Sequence, residues 1–400
     1  MSNAYIYDGG RTAFGRLTGS LSSVRPDDML AHVIKTLVDR NGFDKNIYED
    51  VIAGSTNQAG EDSRNVARFA GLLSGLPIET GGITVNRLCG SSLAATLDAG
   101  RAVRCGEGEL FVACGVESMS RAPLVLSKAN NAFDRGQELA DTTMGARFTN
   151  PEIIKQFGGH SMPETADNIA ADLNISRDEC DVFANASQAK YAAALENGFF
   201  DEEIIGMEVS QGRKKPALNV NKDEHPRPQT NIEGLSKLRA LFNGGVVTAG
   251  NASGLNDGAS ALLIGSEAVG KQYNVKPRAR ILAGAIAGVE PRVMGLGPVP
   301  ATRKALARAG LTIADMDVME FNEAFAVQAL GCLKQLDIDF NDPRVNPNGG
   351  AIAIGHPLGA SGARIVLTAL RQLEKTGGRY ALATMCIGIG QGIALVIERV

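Results

Sequence analysis

The 400-residue chain contains no tryptophan, and aromatic side chains make up only 5% of it. An aromatic platform for stacking nucleic-acid bases is therefore not expected. The net charge of −4 gives no global attraction for a polyanion, so nucleic acid is not an expected partner. No apolar run is long enough to span a bilayer, and no membrane partner is expected. The stretch from Met1 to Asp8 reads at once as a strand and lacks the basic and apolar regions of a cleavable leader, so a cytoplasmic location is expected. The six cysteines, at 89, 105, 114, 180, 332 and 386, form no C-x-x-C pair. That spacing argues against a zinc site and against a disulfide framework, and no metal is expected. There are only four histidines.

Hydrophobic residues make up 44% and charged residues 21%, an ordinary globular balance, and the length suits two domains or one elaborated domain. Strand and helix patterns alternate over the first part. A strand over 4–8 is expected to end in a turn at Gly9-Gly10, before an amphipathic helix from Pro26 to Arg40. A strand over 51–54, a helix over 65–73, a strand over 83–85, a helix from Ser91 and a buried strand over 109–115 follow. Such alternation predicts a mostly parallel sheet covered on both faces, an α/β protein. Between about 120 and 247 the alternation stops. There Ser176 and Glu179 form the capping box of a helix running to Asn197. A basic strip runs through Arg213, Lys214, Lys215, Lys222, Arg227, Lys237 and Arg239. It reads either as a solvated surface or as a landing strip for a phosphate-bearing ligand. Strand–helix alternation resumes with a strand at 259–264 and continues through a strand over 280–287, a helix from Pro300, a strand over 317–321 and a helix from Ser361. Both parts show strand, helix, strand and then a reactive residue at a strand-to-helix junction, which suggests a structural duplication.

Three stretches carry chemistry. Cys89 stands where the strand ending at Val85 gives way to an Ala-rich helix. Partial positive charge at a helix start favours the thiolate, the nucleophilic form. His356 sits in Gly355-His356-Pro357-Leu358-Gly359, and Cys386 opens Cys386-Ile387-Gly388-Ile389-Gly390-Gln391-Gly392, where glycine N–H groups could hold an oxyanion. Each residue taken singly also fits a core role. Asn322, after a buried strand, reads as a helix cap or as an amide that positions a water or a carbonyl. Together, one nucleophile and two acid/base groups fit acyl transfer coupled to a carbon–carbon bond change. A cysteine protease would leave the second thiol idle.

The stretches 86–91, 115–120, 322–326, 348–359 and 386–392 resemble, in order and across nearly the whole chain, the signature motifs of the thiolases. The resemblance implies the thiolase fold: two similar βα halves with mixed sheets in a layered αβαβα core, plus an inserted loop domain. The expected division is 1–121 with 248–274, the insert 122–247, and 275–400. It implies that Cys89 takes the acyl group, that His356 activates Cys89 and shares an oxyanion site with Asn322 through a water, and that Cys386 moves the α-carbon proton. The N–H groups of Cys89 and Gly388 would form a second oxyanion hole. Ser253 and Ala249 would contact pantetheine, Met162 and Phe325 would line the substrate pocket, and Phe242 and Arg227 are placed with them on the coenzyme A path. No permanently bound cofactor is expected; coenzyme A and acyl-CoA are substrates, and a homo-oligomer, dimer or tetramer, is implied. The stretches 22–28, 57–62, 141–148, 161–166 and 223–228 resemble most the subfamily acting on 3-oxoadipyl-CoA in aromatic degradation, for which Arg147 or His160 could hold the distal carboxylate. Alternatives are a general 3-ketoacyl-CoA or acetoacetyl-CoA thiolase, a condensing enzyme, which would pair Cys with two His, and a non-catalytic CoA- or lipid-binding relative.

Overall fold

The computed structural model describes residues 3–400. The chain begins with strand β1 (Ala4–Thr12), helix α1 (Pro26–Arg40), β2 (Tyr48–Gly54), α2 (Val66–Leu73), β3 (Gly81–Val85), α3 (Ser91–Cys105) and β4 (Leu110–Ser118). An excursion carrying α4 (Met162–Leu173) and α5 (Arg177–Glu196) precedes β5 (Asn256–Ser266). Then come β6 (Ala279–Gly288), α6 (Pro298–Ala309), β7 (Val318–Phe321), α7 (Ala326–Gln335), α8 (Leu358–Thr376), β8 (Tyr380–Ile387) and β9 (Gln391–Arg399).

The strands lie in the order β7-β8-β9-β6-β1-β5-β4-β2-β3. Outward from the middle, the first half reads β1-β5-β4-β2-β3 and the second β6-β9-β8-β7. At the position matching β3, the second half has a single parallel bridge between Met319 and Val345. In each half the inner pairings are antiparallel and the outer ones parallel. The duplication read from the sequence is thus present in the topology. The half-sheets join at one corner, where β1 meets β6 over Tyr5–Arg280 and Ile6–Ala279.

Alternation along the strands builds the layers. On β4, Phe111 and Ala113 face a central layer formed by α3 and α8, while Leu110, Val112, Cys114 and Val116 face α1 and α2. On β9, Ile393, Leu395 and Ile397 face the same central helices, while Ala394 and Val396 face α6 and α7. The result is helix, sheet, helix, sheet, helix. Leu93 on α3 is 0% exposed between the sheets, and cutting it to Ala would cost about 2–5 kcal/mol.

Two boundaries differ from the sequence reading. Gly9 and Gly10 do not turn; they lie inside β1. A Cβ on Gly9 would come within 2.6 Å of Leu262 and one on Gly10 within 2.6 Å of Ile205, so these glycines permit close packing. Helix α6 starts at Pro298 rather than Pro300. The capping box of α5 is present: Ser176 N–H donates to Glu179 Oε2 at 2.7 Å, and Glu179 N–H to Ser176 Oγ at 3.2 Å.

Candidate active site

The parallel strands β2, β3 and β4 end together in one half-sheet and β7 and β8 in the other, and ligands bind at such carboxyl ends in open α/β sheets. Cys89 follows β3 in a tightly wound turn. Leu88 N–H donates to Asn86 Oδ1 at 2.9 Å, Arg87 N–H to Ser91 Oγ at 2.9 Å, and Leu88 takes a left-handed φ of 45°. Gly90 caps α3. A Cβ there would stand 2.7 Å from Ile387 Cδ1, so any side chain would have to displace Ile387, and glycine lets this turn lie close against the end of β8.

That closeness brings the second motif to the thiol. The backbone N–H groups of Gly388 and of Cys89 itself both act on the Cys89 sulfur. The pair expected as an oxyanion hole is therefore aimed at the atom that would carry the acyl group. Cys386, one strand residue further back, is buried, and its thiol lies close enough to Cys89 and Cys332 to feel their charge. Burial holds Cys386 far above the usual thiol range.

One expectation is reversed. Burial pushes the Cys89 thiol up to about 11, the two N–H groups opposing it only in part. The resting residue is a neutral thiol, because desolvation outweighs the helix start.

His356 ends the Gly355 turn before α8. Gly355 has φ 106°, and a Cβ on it would overlap the Asn256 amide. Asn256 Oδ1 in turn accepts the His356 backbone N–H at 2.9 Å. On the ring, Nδ1 lies 2.6 Å from Ser361 Oγ. Ser361 donates its own hydrogen to Pro357 O at 2.9 Å, so it accepts from Nδ1–H. Nε2 keeps its lone pair and faces the Asn322 Nδ2 donor at 3.3 Å. Burial and then the Arg364 charge push His356 down to about 3, so it stands neutral and able to take a proton.

Asn322 does not cap α7; Phe325 occupies that position. The side chain of Asn322 is committed to His356 instead. Beside it, the Glu323 carboxylate accepts Ser187 Oγ–H at 2.7 Å, Asn346 Nδ2–H at 2.7 Å and Ile352 N–H at 3.2 Å, fixing the loop that leads to His356. Glu117 does the same for the other half. It accepts N–H bonds from Thr56 at 3.0 Å, Asn57 at 3.2 Å and Gly359 at 2.9 Å, and burial raises it to about 7. Ser361 and Asn256 escaped the sequence reading, and Glu117 entered it only inside the 115–120 stretch, with no role given. Ser361 had a signal, a hydroxyl little more than one helical turn beyond the histidine; the other two act through long-range contacts.

The remaining residues divide. Ser253 N–H donates to Ala324 O at 2.9 Å, and Ala252 bridges Phe325, so the 249–253 loop is stitched to the Asn322 motif. Met162 packs beside Gly388, its sulfur 3.7 Å from where a Cβ would be. Arg227 and Ala249 both line a cleft of about 650 Å³ with His225, Thr230, Asn231 and Leu235. Phe242 is exposed on the following loop, outside the lining of that cleft. Of the basic strip, Arg227 alone reaches the cleft wall; Lys237 is tied to Glu233 at 2.6 Å.

A thiol under two N–H donors, a neutral histidine held through one nitrogen, and a second buried thiol fit covalent acyl transfer. Comparison with known proteins gives the family. The profile of the thiolase N-terminal domain matches residues 4–268 and that of the thiolase C-terminal domain residues 275–399. The chain belongs to the thiolase family and is an acyltransferase. It is 56% identical over 402 aligned positions, covering 100% of both chains, to the 3-oxoadipyl-CoA/3-oxo-5,6-dehydrosuberyl-CoA thiolase of Escherichia coli K12. Among solved structures it matches the Bacillus anthracis acetyl-CoA acetyltransferase with a TM-score of 0.93, at 36% identity, over 100% of this chain and 99% of that one. It matches human mitochondrial 3-ketoacyl-CoA thiolase in complex with CoA with a TM-score of 0.91, at 38% identity, over 100% and 98%.

Proposed function

We propose that this thiolase cleaves 3-oxoadipyl-CoA with coenzyme A to succinyl-CoA and acetyl-CoA. The observation that carries the reading is the full-length identity of 56% to a thiolase named for that substrate. Cys89 Sγ attacks the 3-oxo carbon as His356 Nε2 takes its proton. The bond between C2 and C3 breaks, leaving the succinyl group on Cys89 and the electron pair on the acetyl-CoA enolate. Asn322 and His356 hold the enolate oxygen, and Cys386 gives C2 its proton. Cys386 is reprotonated at the expense of the imidazolium, so in balance the Cys89 proton ends on acetyl-CoA. The thioester oxygen sits under the N–H groups of Cys89 and Gly388 until the thiol of a second coenzyme A releases succinyl-CoA.

The insert 122–247 covers coenzyme A, whose polar end takes the cleft lined by Arg227 and Ala249. Arg227→Ala should raise KM for coenzyme A severalfold with little change in kcat, since the side chain is exposed. Thiolysis of 3-oxoadipyl-CoA and acetoacetyl-CoA, followed in parallel by loss of the 3-oxoacyl-CoA, tests the substrate. A preference for acetoacetyl-CoA would sink the subtype and leave the family chemistry standing.

A homo-oligomer is also proposed. The open edge of β3 carries Ile83 at 49% exposure, with Phe69, Leu72 and Ile78 exposed nearby, an apolar edge that a second copy would cover. Ile83→Lys should shift the mass in size-exclusion chromatography with light scattering to that of one chain.

A further inference from the structure

The chemistry proposed above places a carboxylate at the far end of the acyl group, a two-methylene spacer beyond the carbon that Cys89 attacks. Residues 143–161 are tied at both ends to the neighbourhood of that thiol. At one end, Thr142 Oγ1 accepts Asn57 Nδ2–H at 2.8 Å, and the adjacent Thr56 carbonyl accepts Asn86 Nδ2–H at 3.1 Å, three residues before Cys89. At the other, Met162 packs beside Gly388, whose N–H faces the Cys89 sulfur. The segment thus leaves from a loop hydrogen-bonded to the Cys89 turn and returns beside Gly388.

It holds three basic side chains, Arg147, Lys155 and His160. Lys155 is paired with Glu152 at 3.5 Å. The ring of His160 lies against Gly158 and acts electrostatically on Glu164. Arg147 is half-buried, and among the described residues it has no ion-pair or hydrogen-bond partner. A partly desolvated guanidinium without an acidic neighbour is suited to a planar carboxylate, which it can bind through two parallel N–H bonds. Leu88 and Met162, which meet at Gly388, offer apolar surface for the intervening methylenes.

We propose that Arg147 binds the distal carboxylate of the dicarboxylic acyl group and so sets the preference for it over an uncharged chain of equal length. This rests on the 3-oxoadipyl-CoA reading. The test compares kcat/KM on 3-oxoadipyl-CoA and on 3-oxohexanoyl-CoA, which has a methyl in place of the carboxylate, for the full-length enzyme, Arg147→Ala, Arg147→Lys and His160→Gln. Arg147→Ala should lose about tenfold to a hundredfold on 3-oxoadipyl-CoA, as expected for a charge-assisted contact. It should keep its rate on 3-oxohexanoyl-CoA, which also shows that it is folded, and Arg147→Lys should recover part of the loss. If the unaltered enzyme does not prefer 3-oxoadipyl-CoA, the substrate reading falls and this inference with it. If it does and Arg147→Ala keeps the preference, or His160→Gln alone removes it, this inference alone is overturned.

Discussion

The ring of His356 is useful because of the hydroxyl behind it. With Ser361 accepting from Nδ1, only Nε2 can take a proton, and it faces Asn322. Ser361→Ala leaves Nδ1–H without an acceptor in a buried site, so the imidazole can turn or change tautomer. We expect kcat to fall about tenfold to a hundredfold with KM little changed, read by steady-state kinetics. A second residue-scale prediction concerns Cys89. With burial holding its thiol up at about 11, alkylation by iodoacetamide in the absence of substrate should be slow at neutral pH and keep climbing past pH 9. A rate that levels off near pH 7 would mean that the helix start and His356 prevail over desolvation after all.

At the scale of elements, the site depends on where two helices begin. The starts of α3 and α8 carry Cys89 and His356, and both helices lie in the central layer. Gly355 fixes the second start. Gly355→Ala would place a methyl about on the Asn256 amide at a φ that side chains avoid, moving His356. It should cut kcat more than Ser361→Ala does, read by steady-state kinetics, and lower the melting temperature. Most of this level was legible in the sequence. The buried apolar run of β4, the helix of α5 with its capping box, and the three reactive motifs are local signals. What stayed hidden was non-local. Gly9 and Gly10 look like a turn until Leu262 and Ile205 are placed against them. Asn322 looks like a cap until His356 arrives beside it. The thiol of Cys89 looks activated until the weight of the surrounding burial is counted.

The whole molecule carries buried titratable groups that pull in opposite directions with pH. His356 and His225 are held down, to about 3 and about 4, chiefly by burial. Their folded values lie below the usual 6.5, so the stability tied to them is complete above pH 6.5 and is lost as pH falls through 4 and 3. Glu117 and Glu320 are raised by burial to about 7 and about 8. Their contribution is complete below the usual 4.5 and is lost as pH rises through those values. The melting temperature should therefore peak in the mildly acid to neutral range and decline toward pH 9. Circular dichroism or calorimetry can follow this; with no tryptophan in the chain, indole fluorescence cannot.

The central layer also bears on how the protein is born. On a ribosome, α3 is made long before α8, and the two meet side by side only when the last third of the chain has emerged. Until then the face of α3 that includes Leu93 and Leu97 lacks the packing partner that α8 gives it in the folded chain. The Cys89 thiol waits without His356, so the acyl transfer proposed for the pair starts only when synthesis is nearly done.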